Sequence, residues 1–230
     1  IALPNGLLTQ FSGPRFGIQG VRERCDAYDR PLLCSALKPM GMSPVQLAEL
    51  AYQFASAGLD MIKDDHGLAD QSFCPFEERV SLCAQAVQRA QQESGRPCLY
   101  APNITAGYDR LLDNARFAKR AGAGALVVSF ALVGYDGIRR LASDGDIDLP
   151  ILSHPAFSGA FVTNPQGGMA HAPYYGTLQR LLGADCVIYP NWGGRFAFSQ
   201  QECTDIAQAL REPLGPMAAS FPALRASSQN

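Results

Sequence analysis

No stretch of this 230-residue chain approaches the roughly 20 consecutive apolar residues of a membrane-spanning helix, which sets aside a membrane role. An excess of one charge is also missing: 19 basic against 21 acidic side chains give a formal net charge of −2. So even a balance leaves no electrostatic footprint for nucleic acid, and no nucleic-acid partner is expected. The seven cysteines, Cys25, Cys34, Cys74, Cys83, Cys98, Cys186 and Cys203, include no Cys-x-x-Cys pair. Neither a zinc site nor a disulfide framework is indicated. Most of them lie in apolar runs, where cysteine serves as a small buried hydrophobe, a usage that suits a reducing cytoplasm. The opening residues, Ile1-Ala2-Leu3-Pro4, carry neither an initiator methionine nor a signal-peptide pattern, and are expected to be an internal cut or the first ordered residues of something longer.

What is present is the composition of an ordinary globular domain, 47% hydrophobic and 17% charged. Residues 1–30 form a glycine- and proline-punctuated lead-in, with a short helix expected around Val21–Tyr28. From Pro31 onward, short apolar runs alternate with amphipathic stretches. The runs Leu32–Leu37, Met61–Lys63, Cys98–Pro102, Ala125–Phe130, Ile151–Ser153, Cys186–Tyr189 and Met217–Ser220 read as buried strands. Between them Pro44–Ala57, Phe76–Glu93, Tyr108–Ala121, Gly137–Ala142, Pro173–Leu182 and Ser199–Arg211 read as helices, with Ser43-Pro44 at one start and Gly58, Gly95, Gly122 and Gly183 after ends. Alternation of this kind predicts an α/β fold on a parallel sheet covered on both faces. The number of units favours a (β/α)8 TIM barrel over residues 31–220, lacking the last strand, since a complete barrel takes about 250 residues. A doubly wound sheet is the alternative. Residues 221–230 are expected to be an irregular tail.

Barrel chemistry sits at the carboxyl ends of strands, and there this sequence places its polar residues. Lys38 closes the first strand, Lys63-Asp64-Asp65-His66 the second, and Asn103 and Thr105 follow the third. His154 closes the fifth, and Asn191, Trp192 and Arg195 follow the sixth. A lysine desolvated at such a mouth loses its proton more easily. As a neutral amine it can take up carbon dioxide as a carbamate, an oxygen donor that beside Asp65 would suit a hard cation such as Mg²⁺. The bland reading of the same string is a salt-bridged strand end. Lys38 is either a catalytic or phosphate-binding amine or a side chain reaching to the rim. His154 is either a proton carrier or a satisfied core histidine; His171 reads as a loop or helix-start residue. The loop Pro190-Asn-Trp-Gly-Gly-Arg195 could close on a phosphate through Arg195 or simply cover the surface; the pair Gly167-Gly168 marks a turn.

Together these strings resemble the large subunit of RuBisCO and, more closely, the RuBisCO-like proteins. The resemblance runs from about Phe16 to Arg195. It is carried by Phe16-Gly-Ile-Gln-Gly-Val-Arg22, Arg30-Pro-Leu-Leu33, Lys38-Pro39, Gly58-Leu-Asp-Met-Ile-Lys63-Asp64-Asp65, Pro75-Phe-Glu-Glu-Arg79, Tyr100-Ala-Pro-Asn-Ile-Thr105, His154-Pro-Ala-Phe-Ser-Gly-Ala-Phe161 and Gly183-Ala-Asp185. It implies a RuBisCO-type barrel whose companion N-terminal α+β domain is absent from this chain. It also implies a homodimer and a phosphorylated sugar substrate. By position, Lys63 matches the lysine that becomes carbamylated, Asp65 a metal-binding aspartate, Lys38 a lysine of proton chemistry, and His154 an active-site histidine. Asn103 and Arg195 would bind substrate, Arg195 standing where carboxylases carry a mobile-loop lysine.

The departures narrow the reaction. Met40 replaces the second lysine of Lys-Pro-Lys, His66 replaces a glutamate metal ligand, and Ile188 replaces a histidine. These changes argue against carboxylation and leave enolisation or isomerisation of a phosphorylated sugar derivative, such as a 5-methylthioribulose 1-phosphate. His66 shifts the metal preference from Mg²⁺ toward a transition metal. A divergent carboxylase and a catalytically inactive barrel serving as a binding or regulatory subunit are the alternatives.

Overall fold

The computed structural model describes residues 3–164 and 166–224; the start Ile1-Ala2 and residues 225–230 of the expected tail lie outside the described residues. The chain divides into two compact units, Gln19–Val128 with Asp146–Leu149, and the described parts of Ile1–Ile18, Ser129–Gly145 and Pro150–Asn230. Both are α/β, with every described strand pairing within a unit parallel.

In the first unit, most of α1 (Gly17–Cys25) precedes β1 (Cys34–Leu37), α2 (Pro44–Ser56), β2 (Met61–Asp64), α3 (Phe76–Ser94), β3 (Leu99–Ala101), α4 (Tyr108–Arg120) and β4 (Leu126–Ser129), whose last residue belongs to the second unit. The helix starts follow local chemistry. Ser43 accepts the Gln46 N–H while the Gln46 side chain accepts the Ser43 N–H, and Pro44 supplies the preset first turn. Helix α3 begins after Pro75, carries Glu77 and Glu78 in its first turn where the helix dipole favours anions, and ends at Gly95 in the left-handed region. Strands β1, β2 and β3 pair in that order, with Ala36 beside Lys63 and Lys63 beside Ala101. Since strand residues alternate between faces, Lys63 shares one face with Ala36 and Ala101 and Asp64 the other with Leu37.

That second face is where α3 packs, and there Asp64 meets Arg79, both side chains wholly buried, with Nε–Oδ2 at 3.0 Å. Arg79 also donates to the carbonyls of Cys74 and Ala69. Asp64 accepts the Tyr100 hydroxyl on Oδ1 at 2.8 Å and the Asn103 N–H on Oδ2 at 3.0 Å. Burial opposes the Arg79 charge, but the Asp64 carboxylate, with Tyr100 and Cys74 adding to it, outweighs this and the pKa is raised. The pair therefore ties β2, β3 and α3 to one point. A second carboxylate, Asp60, takes a bidentate fork from Arg30 at 2.6 and 2.7 Å and the Leu33 N–H, fixing the entry to β1.

In the second unit, α5 (Tyr135–Ser143), β5 (Ile151–His154), a π-helical segment (Ala172–Thr177) running into α6 (Leu178–Leu182), β6 (Cys186–Tyr189), α7 (Gln200–Arg211) and β7 (Phe221–Leu224) follow in order. Strand β6 lies between β5 and β7. Asp185 accepts the N–H groups of Phe16, Gly17 and Ile151; burial nevertheless raises its pKa. Arg180 is buried with no carboxylate beside it among its described bonds, donating instead to the carbonyls of Ala209, Glu212, Met217 and Ala218. The π-helical segment lies close to α7: a Cβ on Gly176 would stand 2.5 Å from the Cβ of Ala209.

Three element expectations are corrected. The first helix lies at Gly17–Cys25 rather than around Val21–Tyr28. The seventh strand is Phe221–Leu224 rather than Met217–Ser220, so the stretch expected as irregular opens with a strand. The cause is Arg180: it takes the Met217 and Ala218 carbonyls, and the ladder to β6 begins where the Phe221 N–H reaches the Asp185 carbonyl. The helix expected as Pro173–Leu182 is π-helical over its first half, a widening of the turn that a 3.6-residue periodicity does not distinguish.

Replacing Arg79 with Met leaves the Asp64 carboxylate buried and uncompensated. An unfolding free energy lower by about 3–5 kcal/mol is expected, read from the urea midpoint; an unmoved midpoint would show that the pair does not anchor the unit.

Candidate active site

Lys38 follows directly on β1, and its Nζ lies 3.0 Å from Oδ2 of Asp65, the residue just past β2. The other Asp65 oxygen accepts the Gly67 N–H at 2.9 Å and has the His66 Nδ1 at 3.5 Å. Burial pushes the Asp65 pKa up, but the Gly67 N–H, Lys38 and His66 together hold it below the ordinary aspartate value. Lys63 is buried and donates to the Asp64 carbonyl at 3.0 Å. Desolvation pushes its basicity down, with Lys38 adding to the effect; Cys34 and the two aspartates pull the other way without reversing it. The structure thus brings Lys38, Lys63, Asp65 and His66 together at the carboxyl ends of two adjacent strands.

Consecutive carboxylates here have opposite surroundings. Asp64 is consumed by Arg79, Tyr100 and the Asn103 N–H; Asp65 keeps company with a half-exposed lysine and a half-buried imidazole. Met40 lines the same corner: a Cβ on Gly67 would lie 2.6 Å from Met40 Cε and 3.3 Å from Asp65 Oδ1. Asn103 is buried and turned inward. Its amide donates to the His66 and Leu68 carbonyls at 3.1 and 2.6 Å and accepts from the Thr105 N–H and hydroxyl. In this geometry Asn103 secures the loop that carries Asp65 and His66, a task different from the substrate contact expected of it.

In the second unit, His154 ends β5 and its Nδ1 accepts the Ala156 N–H at 3.1 Å, which leaves Nε2 as the protonated nitrogen of the neutral ring. Behind it the Ser153 hydroxyl is held by Gln179 at 2.7 Å. Arg195 is exposed on the loop after β6, its guanidinium 4.8 Å from the Phe196 ring centre. Trp192 on the same loop is also exposed. His171 opens the π-helical segment and pairs with Glu202 at 2.9 Å, as a helix-start residue. Arg79 was the residue sequence reasoning missed. Its position three after Phe76 and four before Cys83 places it in the buried stripe of α3, and that spacing was the available signal.

Among the described residues, no three His, Cys, Asp or Glu side chains are grouped to hold a metal. Asp65 and His66 provide an oxygen and a nitrogen donor side by side. A third donor fits only as a carbamate on Lys63, and the lowered basicity of that amine favours the neutral form that carbamylation requires. With Lys63 so modified the residues suit a divalent cation.

The model of the ribulose bisphosphate carboxylase large chain, catalytic domain, matches residues 17–200. The 5-methylthioribulose-1-phosphate isomerase of Rhodospirillum rubrum is 39% identical over 96% of this chain and 58% of its own length. The 2,3-diketo-5-methylthiopentyl-1-phosphate enolase of Microcystis aeruginosa is 39% identical over 86% of this chain and 52% of its own. The crystal structure of a Rubisco-like protein from Rhodopseudomonas palustris superposes with a TM-score of 0.91 at 41% identity, covering 97% of this chain and 61% of that one. The chain spans about half the length of the curated relatives it matches.

Two outcomes are expected. Folded Lys63 releases its proton at lower pH than the ordinary lysine value of 10.5. Below the folded value the buried charge weighs fully against folding, and the penalty fades as pH rises from there to 10.5. Lys63→Met should therefore gain stability over the wild type near neutrality, with the margin shrinking in denaturation curves taken toward pH 10.5; a margin independent of pH would contradict the lowered basicity. Asn103→Ala should cost about 1–3 kcal/mol, since it strands the buried Leu68 carbonyl and the part-buried His66 carbonyl, and should speed amide exchange at Gly67 and Leu68; unchanged exchange there would remove Asn103 from the support of the loop.

Proposed function

The chain belongs to the ribulose bisphosphate carboxylase large-chain family, and on that premise we propose that it enolises or isomerises a phosphorylated sugar derivative and does not carboxylate. The observation that carries this reading is the pairing of a buried lysine of lowered basicity, Lys63, with the Lys38–Asp65 ion pair at adjacent strand ends. Enolisation needs a base beside a carbon next to a carbonyl; in an enolase a proton ends on the carbonyl oxygen, and in an isomerase the carbon-bound proton ends on the former carbonyl carbon while the adjacent hydroxyl proton passes to the former carbonyl oxygen, with no net oxidation in either. We assign proton removal to the Lys38 amine, which reaches outward from its strand end. The neutral Lys63 amine would add to carbon dioxide and lose a proton, giving the carbamate that joins Asp65 and His66 as donors. A divalent cation held there, Mg²⁺ or a transition metal favoured by the imidazole, would stabilise the negative charge on the enolate oxygen.

We assign His154 to proton transfer through its Nε2, supported by the Nδ1 contact that fixes the ring. Arg195, exposed on a loop containing Gly193 and Gly194, is assigned to the substrate phosphate. Asn103 enters as the residue holding the Asp65 loop. Against carboxylation stand Met40, at the rim of the Asp65 corner, and Ile188 within β6; neither can carry charge or a proton. Assembly as a homodimer is part of the proposal through the family resemblance. A reducing cytoplasm is supported by the seven free thiols; among the described residues no helix is long and apolar enough to cross a membrane.

The test is proton exchange in D2O, followed by NMR, on 5-methylthioribulose 1-phosphate and 2,3-diketo-5-methylthiopentyl 1-phosphate. Deuterium should enter one of them at the carbon beside the carbonyl, and Lys38→Met should lower the rate by at least about a hundredfold, the usual scale of a general base. Radiolabelled bicarbonate should not appear in phosphoglycerate from ribulose bisphosphate. Label above a Lys63→Met control, or the absence of exchange with both substrates, would overturn the reading.

A further inference from the structure

We propose that the Lys38 ammonium and a divalent cation compete for the Asp65 carboxylate, so that a cation binds by displacing Lys38. The inference deepens the site reading above and rests on it for the identity of the cation's donors. Its basis is the occupancy of Asp65. One oxygen holds Lys38 at 3.0 Å; the other holds the Gly67 N–H at 2.9 Å with His66 Nδ1 at 3.5 Å. The carboxylate is 11% exposed, leaving little open surface for an additional partner, and a doubly charged ion beside an ammonium on one carboxylate is repelled by it.

Of the two groups held on the Asp65 oxygens at 3.0 Å or less, Lys38 is the one that can withdraw cheaply. The Gly67 N–H belongs to a turn closed by the Leu68 N–H on the Asp65 carbonyl and by Asn103 on the His66 and Leu68 carbonyls. Those three hydrogen bonds hold that turn in place. Lys38, by contrast, is 51% exposed and ends a flexible stem whose ammonium is readily hydrated. Cation binding and Lys38 release are then two sides of one equilibrium, and the Lys38 side chain swings clear of Asp65 when the centre is loaded.

The experiment is Mn²⁺ titration of the full chain by electron paramagnetic resonance, at fixed pH with bicarbonate present, comparing wild type, Lys38→Met, Lys38→Arg and Asp65→Asn. Lys38→Met should bind Mn²⁺ about fivefold more tightly, the scale of a partly exposed ion pair removed as competitor. Lys38→Arg, which retains a cation, should stay within about twofold of the wild type, and Asp65→Asn should lose the site. Should Lys38→Met fail to fold, Lys38→Gln carries the same expectation. An affinity equal to or weaker than wild type in the neutral variant, equal tightening in Lys38→Arg, or no Mn²⁺ bound by any of these proteins overturns the proposal. Because the readout is binding, competition without enolisation would refute the proposed function alone, and enolisation without competition would refute this inference alone.

Discussion

The buried pair of Asp64 and Arg79 is the constraint on which the catalytic reading depends. A carboxylate and a guanidinium taken wholly out of water are tolerable only when further hydrogen bonds support them, and here these come from β3, from the loop before α3 and from the backbone at Asn103. That network fixes the carboxyl end of β2 to within a hydrogen-bond length. The residues that follow it, Asp65 and His66, inherit a defined starting point, and Asn103 then fixes the path of the loop they lie on. A site on a loop gains the precision of a strand in this way.

The same arrangement explains how neighbouring residues of one type come to differ in chemistry. Alternation along β2 sends Lys63 and Asp64 to opposite faces, and only the face with α3 offers a buried cation. Lys63, on the other face, has no buried partner of that kind, and its ammonium is disfavoured by burial. Asp65 lies past the strand, where Lys38 from the adjacent strand can reach it. Strand pairing, rather than sequence proximity, brings together two lysines 25 positions apart in the numbering.

Much of this was legible in the sequence, because parallel strands and capped helices leave periodic and punctuating marks. Cys186–Tyr189 was recognised to the residue, and Ser43-Pro44 announced the start of α2. The clustering of polar groups at strand ends was likewise visible from Lys38 and Lys63-Asp64-Asp65-His66. What was hidden depended on tertiary partners. The spacing of Arg79 puts it on the buried stripe of α3 but does not name its carboxylate, Arg180 gives no sign of its carbonyls, and the position of β7 follows from carbonyls that Arg180 had already claimed. The inward turn of Asn103 is of the same kind: the strand-end position was readable, the direction of the amide was not.

Arg180 also has a consequence for the order in which the protein can be made. Its acceptors at Ala209, Glu212, Met217 and Ala218 lie 29 to 38 residues downstream. On the ribosome, where synthesis proceeds at about 5–20 residues per second, Arg180 therefore emerges seconds before anything exists to receive it. Until then its guanidinium stays in water, and the segment that contains it cannot seal against β6 at native density. The second unit is thus timed by its own last strand: a nascent chain halted before Ala218 holds a charged side chain where the finished protein has an interior.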